Sequence, residues 1–135
     1  MAIDTPQPDH GSAATSIDVV ALAGSVRSGS YNKGLLRAAI ELAPVNVTIE
    51  ILDLTPVPLF NQDLEHALPP AVARLRNRVA SADALLLATP EYNHTIPGVI
   101  GNVVDWLSRR LPTSPLRDKP IAMKGAAGGG GSVRA

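Results

Sequence analysis

The chain has 135 residues, which is enough for one hydrophobic core and too few for a second. Twelve basic residues balance twelve acidic ones, so the charge gives no reason to expect a nucleic-acid or anionic-membrane partner. The absence of cysteine excludes disulfides, thiolate nucleophiles and cysteine-bound metals. Residues 1–15 lack an apolar signal core, and no run reaches the roughly 20 apolar residues of a membrane span. We expect a disordered leader over 1–15, one domain over 16–135 and a cytoplasmic location.

In the first half of the chain, segments with the hydrophobic pattern of a strand alternate with a segment whose apolar residues have helical spacing. Residues 17–23 are β-branched and aliphatic and end at Gly24, which indicates a strand buried on both faces. Apolar residues at helical spacing predict a helix over 32–42, and strict alternation predicts an edge strand over 47–54. The Pro-punctuated stretch 55–68 is long for a loop, which makes it a candidate wall of a site.

The second half predicts two more helices and two more strands from prolines at helix starts, helical spacing and uninterrupted apolar runs. In chain order these are a helix from Pro69 and Pro70 past Val79, a strand over 84–88, a helix from near Pro97 to the arginines at 109 and 110, and a strand over 120–123. This alternation predicts βαβ units, and right-handed crossovers then favour an α/β doubly wound parallel sheet. Ligands of such sheets lie beyond the carboxyl ends of the strands, so the turns after the first, third and fourth strands are candidate sites.

The turn after the first strand has the composition of a phosphate-binding loop. It places Ser25, Arg27, Ser30 and Asn32 between a buried strand and a helix start, where amides, hydroxyls and a guanidinium can surround an anion. Its glycines are five residues apart, unlike the dinucleotide fingerprint, and no Lys-Ser or Lys-Thr pair follows as in a P-loop. The loop suits a terminal monophosphate; the alternative is a solvated loop whose polar residues only cap the helix.

The turn after the third strand, 89–98, has a proline near each end, which restricts φ and stiffens the backbone between them. With Tyr92, it offers both amides and aromatic surface to a planar ring. Glu91 has no partner acid nearby, so we expect it to orient the backbone or a second subunit.

Other polar and aromatic residues are assigned structural roles. His10, His66 and His94 show no metal-site spacing and are interpreted as surface residues. Trp106 is interpreted as a core or subunit-contact residue. The run 128–131 fits either a flexible tail or a backbone anion nest.

The chain contains three motifs in order: Gly24-Ser25-x-Arg27-x-x-Ser30-x-Asn32, then Pro90-Glu91-Tyr92-Asn93, then Pro97-Gly98 followed by Asn102 and Asp105-Trp106. Together they resemble the NADPH-dependent FMN reductase family, which includes quinone, azo-dye and chromate reductases. The similarity spans roughly residues 17–135. The resemblance implies a flavodoxin-like fold with bound flavin mononucleotide (FMN).

The resemblance also implies roles for site residues. Ser25, Arg27, Ser30 and Asn32 would hold the FMN phosphate, Pro90, Glu91, Tyr92 and Asn93 would line the isoalloxazine ring, and the loop around Ala127 and Gly128 would approach its pyrimidine end. NADPH or NADH would deliver hydride to flavin N5, with no side-chain acid, base or metal required. Electrons would then pass to a small-molecule acceptor: a quinone, an azo compound, a metal oxyanion or free flavin. The family implies a homodimer or homotetramer.

Two features depart from the family. Gly101 stands where family members often carry lysine, which bears on preference for the second substrate. The family's domain continues past the fourth strand with a helix, a fifth strand and a last helix. We therefore expect strand order 2-1-3-4 with the fifth strand and last helices missing. Either the domain is C-terminally incomplete, or a partner chain covers the gap. A flavodoxin-like electron carrier and a non-catalytic fragment are the alternatives to an enzyme.

Overall fold

Strands and helices alternate along the chain in a computed structural model, which describes residues 15–109 and 113–126. The elements are β1 (Ile17–Ala23), α1 (Tyr31–Glu41), β2 (Val47–Ile51), a 3₁₀ helix (Gln62–His66), α2 (Pro70–Ser81), β3 (Ala84–Ala88), α3 (Gly98–Ser108) and β4 (Ile121–Lys124). The predicted leader lies almost wholly outside the described residues. None of the helices in the described ranges is both long and apolar enough to span a bilayer.

The sheet has the order β2-β1-β3-β4, with every neighbouring pair parallel. Ala21 of β1 pairs with Ile51 on one side and with Leu86 on the other, which places β1 and β3 at the centre. The predicted doubly wound sheet and its order are confirmed. The expectation about a fifth strand and last helices concerns the chain past Ala126, outside the described residues, and stays a prediction.

The helices divide between the two faces of the sheet as right-handed crossovers require. Val20 and Leu22 of β1 point to the face that α2 and α3 cover, and this larger cluster includes Leu75 and Val103. The intervening Ala21 and Ala23 point to the face of α1; the members of this smaller cluster are Ala21, Ala23, Leu36 and Ala88. At the outer edge, all four residues of β4 are exposed.

β2 is three residues shorter than predicted. Its burial alternates as expected for an edge strand, but it ends at Ile51 rather than at residue 54. The backbone N–H of Leu52 still donates to the carbonyl of Ala21 at 3.0 Å. The Asp53 carboxylate then accepts from the N–H of Thr55 at 3.0 Å, which turns the chain away from the sheet. Hydrogen bonds from Thr55 also lower the pKa of Asp53.

The long loop after β2 packs against α3. The side chains of Asn102 and Trp106 both donate to the carbonyl of Pro58, at 2.9 and 2.8 Å, and the N–H of Phe60 donates to Asn102 Oδ1 at 2.7 Å. The loop also contains the unpredicted 3₁₀ helix, whose N-cap Asn61 accepts from the N–H of Asp63. These bonds satisfy polar groups that an irregular segment leaves unpaired.

An ion-pair network ties α2 to the two strands beside it. The Arg78 guanidinium donates to both carboxylate oxygens of Asp18 on β1, at 2.7 and 2.8 Å, and also to Glu50 on β2. The bidentate contact lowers the pKa of Asp18, and both carboxylates raise the pKa of Arg78. Since the pKa of Asp18 is lower in the folded state, this contribution is present above its unfolded pKa and is lost as the pH falls through the folded value.

We expect Arg78→Met to lower the free energy of unfolding at pH 7 by about 1 kcal/mol, because the network is half exposed. Urea unfolding from pH 7 to pH 3 measures the effect, and the difference from wild type should shrink as Asp18 is protonated. Arg74→Met is the matched control, since Arg74 is exposed on the same helix. A difference that stays constant down to pH 3 would contradict the role of Asp18.

Candidate functional site

The predicted turns meet at the carboxyl edge of the sheet. The N–H of Gly24, after β1, donates to the carbonyl of Ala88 at 2.8 Å. The N–H of Thr89, after β3, donates to the carbonyl of Lys124 on β4 at 2.9 Å. These bonds extend the parallel ladder by one residue, so the three turns leave the sheet side by side, as predicted for a switch-point site.

Buried polar side chains gather at this edge. In the described part of the chain they are Ser25, Ser30, Asn32 and Thr89, which are 8%, 4%, 3% and 1% exposed. Ser30 is the N-cap of α1 and accepts from the N–H of Lys33, and Thr89 donates to the carbonyl of Pro90 at 3.0 Å. The Ser25 hydroxyl has no hydrogen-bond partner among the described residues. Since the described part of the chain has no buried side-chain polar atom without a partner, this hydroxyl is open to solvent and available to a ligand.

The loop after β1 presents free amides and two cations. No hydrogen bond within the described residues uses the backbone N–H groups of 26–29 or of Tyr31 and Asn32, the first two residues of α1. The Arg27 guanidinium donates to the carbonyl of Gly29 at 2.8 Å and lies 5.6 Å from the ring centre of Tyr31. The Lys33 ammonium donates to the carbonyl of Val26 at 3.1 Å. This arrangement suits an anion at the helix N-terminus.

One cavity of about 230 Å³ joins the two predicted motifs. Its lining residues are Ser25, Arg27, Ser30, Tyr31, Asn32, Pro90, Glu91, Tyr92 and Ala126. Tyr31 and Ala126 are additions to the predicted set; the aromatic residue beside Arg27 was the available signal for Tyr31. Asn93 adjoins Tyr92 but is exposed and does not line the cavity. The predicted Ala127 and Gly128 lie outside the described residues.

A tight turn holds the second motif. Tyr92 and Thr95 exchange two backbone hydrogen bonds, of 3.1 and 3.0 Å, across the two residues between them. Those residues, Asn93 and His94, have φ of 53° and 59°, as in a type I′ turn. Positive φ is uncommon for residues other than glycine, and such strain is often found at functional sites. The Tyr92 ring is half exposed above the cavity, available to stack on a planar group.

Glu91 has a local partner. Its carboxylate lies 3.2 Å from Nδ1 of His94, whose side chain is almost fully exposed. The expectation that Glu91 orients the backbone or a second subunit stays a prediction. His66 is exposed at the end of the 3₁₀ helix, and within the described ranges no three His, Asp or Glu side chains gather as a metal site requires.

A larger groove, of about 550 Å³, runs along β2 and α2. It is lined by apolar Leu52 and Val57 and by Arg74 and Arg78, of which Arg78 is already paired with two carboxylates. The groove is lined by residues of β2, the segment that follows it and α2, and by none from the turns after β1, β3 or β4. We therefore assign the site to the smaller cavity.

A doubly wound parallel sheet of order β2-β1-β3-β4, with the turns after β1 and β3 lining one cavity at its carboxyl edge, is the architecture of the flavodoxin-like class. Residues 17–135 match the family described as NADPH-dependent FMN reductase, and the chain belongs to that family. The predicted resemblance is thereby confirmed.

Individual relatives agree with this membership. The chain is 49% identical over 115 residues to an NAD(P)H-dependent FMN reductase of Pseudomonas aeruginosa, covering 84% of the chain and 61% of the relative. It is 45% identical over 123 residues to an NAD(P)H:quinone oxidoreductase of Solanum tuberosum, covering 87% and 62%.

The solved structure of FerB, a flavoenzyme NAD(P)H:(acceptor) oxidoreductase of Paracoccus denitrificans, matches with 34% identity and a TM-score of 0.79. The match covers 84% of this chain and 62% of that one, and confirms the flavodoxin-like fold. The chain thus spans 61% to 62% of the length of these relatives.

Proposed function

We propose that the chain binds FMN at the carboxyl edge of its sheet and acts as an NAD(P)H-dependent oxidoreductase. The observation that carries the proposal is that the phosphate-type loop after β1 and the aromatic turn after β3 line one cavity. Membership of the FMN reductase family supports the same cofactor and co-substrate.

The donors of the first turn fit a phosphate monoester. Ser25 brings a hydroxyl with no partner among the described residues, and the backbone N–H groups of the exposed residues 26–29 are unused by other described groups. Arg27 can exchange its bond to the Gly29 carbonyl for a charge-assisted bond to phosphate. Ser30 lies at the N-cap of α1, where the helix dipole favours negative charge.

The remainder of the cofactor would rest against the second turn. Pro90 and Glu91 would line the ring, with Tyr92 stacked on it and Asn93 offering its backbone. When bound, FMN would supply two-electron chemistry, taking hydride from NADPH or NADH and passing electrons to an acceptor. Backbone amides near the ring, among which Ala127 and Gly128 remain proposed, would stabilise negative charge on it. The chain then needs no side-chain acid or base.

The proposal also covers the class of electron acceptor and the oligomeric state. A quinone, an azo compound, a metal oxyanion or free flavin fits a site that admits two substrates in turn. Exposed apolar residues on the loop after β2, the turn after β3 and α3 support a homodimer or homotetramer; they include Leu59, Ile96 and Val104. The cytoplasmic location stays a prediction.

Arg27→Ala is expected to weaken FMN binding about tenfold, the size of a hydrogen bond to a charged group. Quenching of FMN fluorescence on titration measures the affinity. Arg37→Ala removes the same charge from an exposed position on α1 and is expected to leave the affinity unchanged. Equal affinity in the two variants would contradict the phosphate loop.

Turnover separates the enzyme from its alternatives. FMN-loaded protein should oxidise NADPH, followed by absorbance at 340 nm, when a benzoquinone is added. An electron carrier would bind FMN and show no such turnover, whereas a non-catalytic fragment would remain colourless after FMN is added. Each of those two results would overturn the proposed activity.

A further inference from the structure

Asn32 joins two turns of the site through a pair of hydrogen bonds. Its Nδ2 donates to the carbonyl of Ala126 at 3.2 Å, and its Oδ1 accepts from the N–H of Ala126 at 3.0 Å. The two residues are 94 positions apart in the sequence. One buried carboxamide therefore satisfies both backbone polar groups of a residue in the turn after β4.

The turn after β4 has few other attachments. β4 is the outer strand of the described sheet, all four of its residues are exposed, and its ladder with β3 closes at the bond from Thr89 to Lys124. Past that bond, within the residues the structure describes, the hydrogen bonds that hold Ala126 come from Asn32. A two-point contact constrains both the distance and the orientation of a peptide group, since each bond is directional.

The position of Ala126 gives this contact a consequence for the site. Ala126 lines the same cavity as Ser25 and Arg27 on one side and Tyr92 on the other. A shift of the turn after β4 would therefore move one wall of the cavity while leaving the phosphate loop in place. The carboxamide of Asn32 is directed at that wall, not at the free amides of 26–29.

We propose that Asn32 is a positioning residue that fixes the turn after β4 against the phosphate loop, so that the wall facing the flavin ring depends on it. The proposal rests on the proposed function. It differs from a direct contact between the Asn32 side chain and the phosphate, which the family resemblance implies. If Asn32 has a positioning role, its loss should weaken the binding of any flavin, whether or not that flavin carries a phosphate.

Paired titrations with FMN and riboflavin distinguish the two roles. Asn32→Ala should weaken both by about the same factor, near tenfold for two neutral hydrogen bonds, so that their affinity ratio is unchanged. Arg27→Ala should weaken FMN and spare riboflavin. Asn46→Ala is the control, because its side chain donates to the carbonyl of Thr15 at the opposite edge of the sheet. A loss confined to FMN in Asn32→Ala, or no loss, would overturn the proposal.

Amide hydrogen exchange at Ala126 tests the contact without any flavin. Wild-type protein should protect this N–H, and Asn32→Ala should exchange it at least tenfold faster. Asn32→Asp keeps an acceptor for the N–H but replaces the donor to the Ala126 carbonyl with a second oxygen, so protection should return only in part. Equal exchange in wild type and Asn32→Ala would overturn the proposal. If Asn32 protects Ala126 as expected but the protein binds no FMN, the proposed function is contradicted while the contact between the two residues is not.

Discussion

Trp106→Ala is expected to lower the free energy of unfolding by about 3–5 kcal/mol. The indole is 1% exposed, packs edge to face on Phe60 with ring centres 4.9 Å apart, and donates from Nε1 to the carbonyl of Pro58 at 2.8 Å. Truncation would leave a cavity under the loop after β2 and would remove one of the two donors to the Pro58 carbonyl, leaving Asn102 as the other. Because domains of this size are stable by only about 5–15 kcal/mol, the loss would be a large share of the total.

Urea unfolding followed by circular dichroism is the suitable measurement, since Trp106 is the single tryptophan and fluorescence is lost with it. Trp106→Phe keeps most of the packing and removes the hydrogen bond, so a loss of about 1–2 kcal/mol is expected. Val104→Ala changes a residue that is 39% exposed on the same helix and should cost little. If Trp106→Ala were no more destabilising than Val104→Ala, the core role of the indole would be refuted.

The local hydrophobic pattern was sufficient to predict the bounds of the two central strands. β1 and β3 were predicted to the residue because both lie at the centre of the sheet and their apolar runs end where the chain leaves it. The resemblance to the family implied the strand order 2-1-3-4, and the handedness of crossovers then gave the faces of the helices. The same reasoning brought Arg27 and Tyr92 to one cavity, because parallel strands end at a common edge.

Local side-chain bonds and tertiary contacts explain the features that the hydrophobic pattern of the sequence did not predict. β2 ends early because the Asp53 carboxylate captures the N–H of Thr55, a local bond that competes with the ladder. The 3₁₀ helix is too short for periodicity to reveal, although Asn61 at its N-cap was a usable signal. The contact of Asn32 with Ala126 spans 94 positions and depends on how far the ladder of β4 extends, which no local pattern encodes.

Gly24→Ala is expected to disturb both the fold and the site. A Cβ at this position would lie 2.8 Å from Cβ and 2.9 Å from Cα of Thr89, and closer still to its Oγ1. Thr89 is buried and its backbone continues the ladder to β4, so neither residue can move without separating β1 from β3. Overpacking of this kind costs about 1–3 kcal/mol, and the resulting shift would move the phosphate loop away from the Pro90 turn.

Urea unfolding and FMN titration should therefore both respond to Gly24→Ala, with an affinity loss above tenfold, because binding requires the two turns at a fixed separation. Gly29→Ala makes the same chemical change in the same loop, where an added Cβ meets nothing within 4 Å, and should alter neither measurement. Adding Thr89→Ala to Gly24→Ala should relieve only part of the loss, since the contacts with Cβ and Cα of residue 89 persist. Full recovery in that double variant would show that the hydroxyl alone, rather than the close approach of two strand ends, makes glycine necessary at position 24.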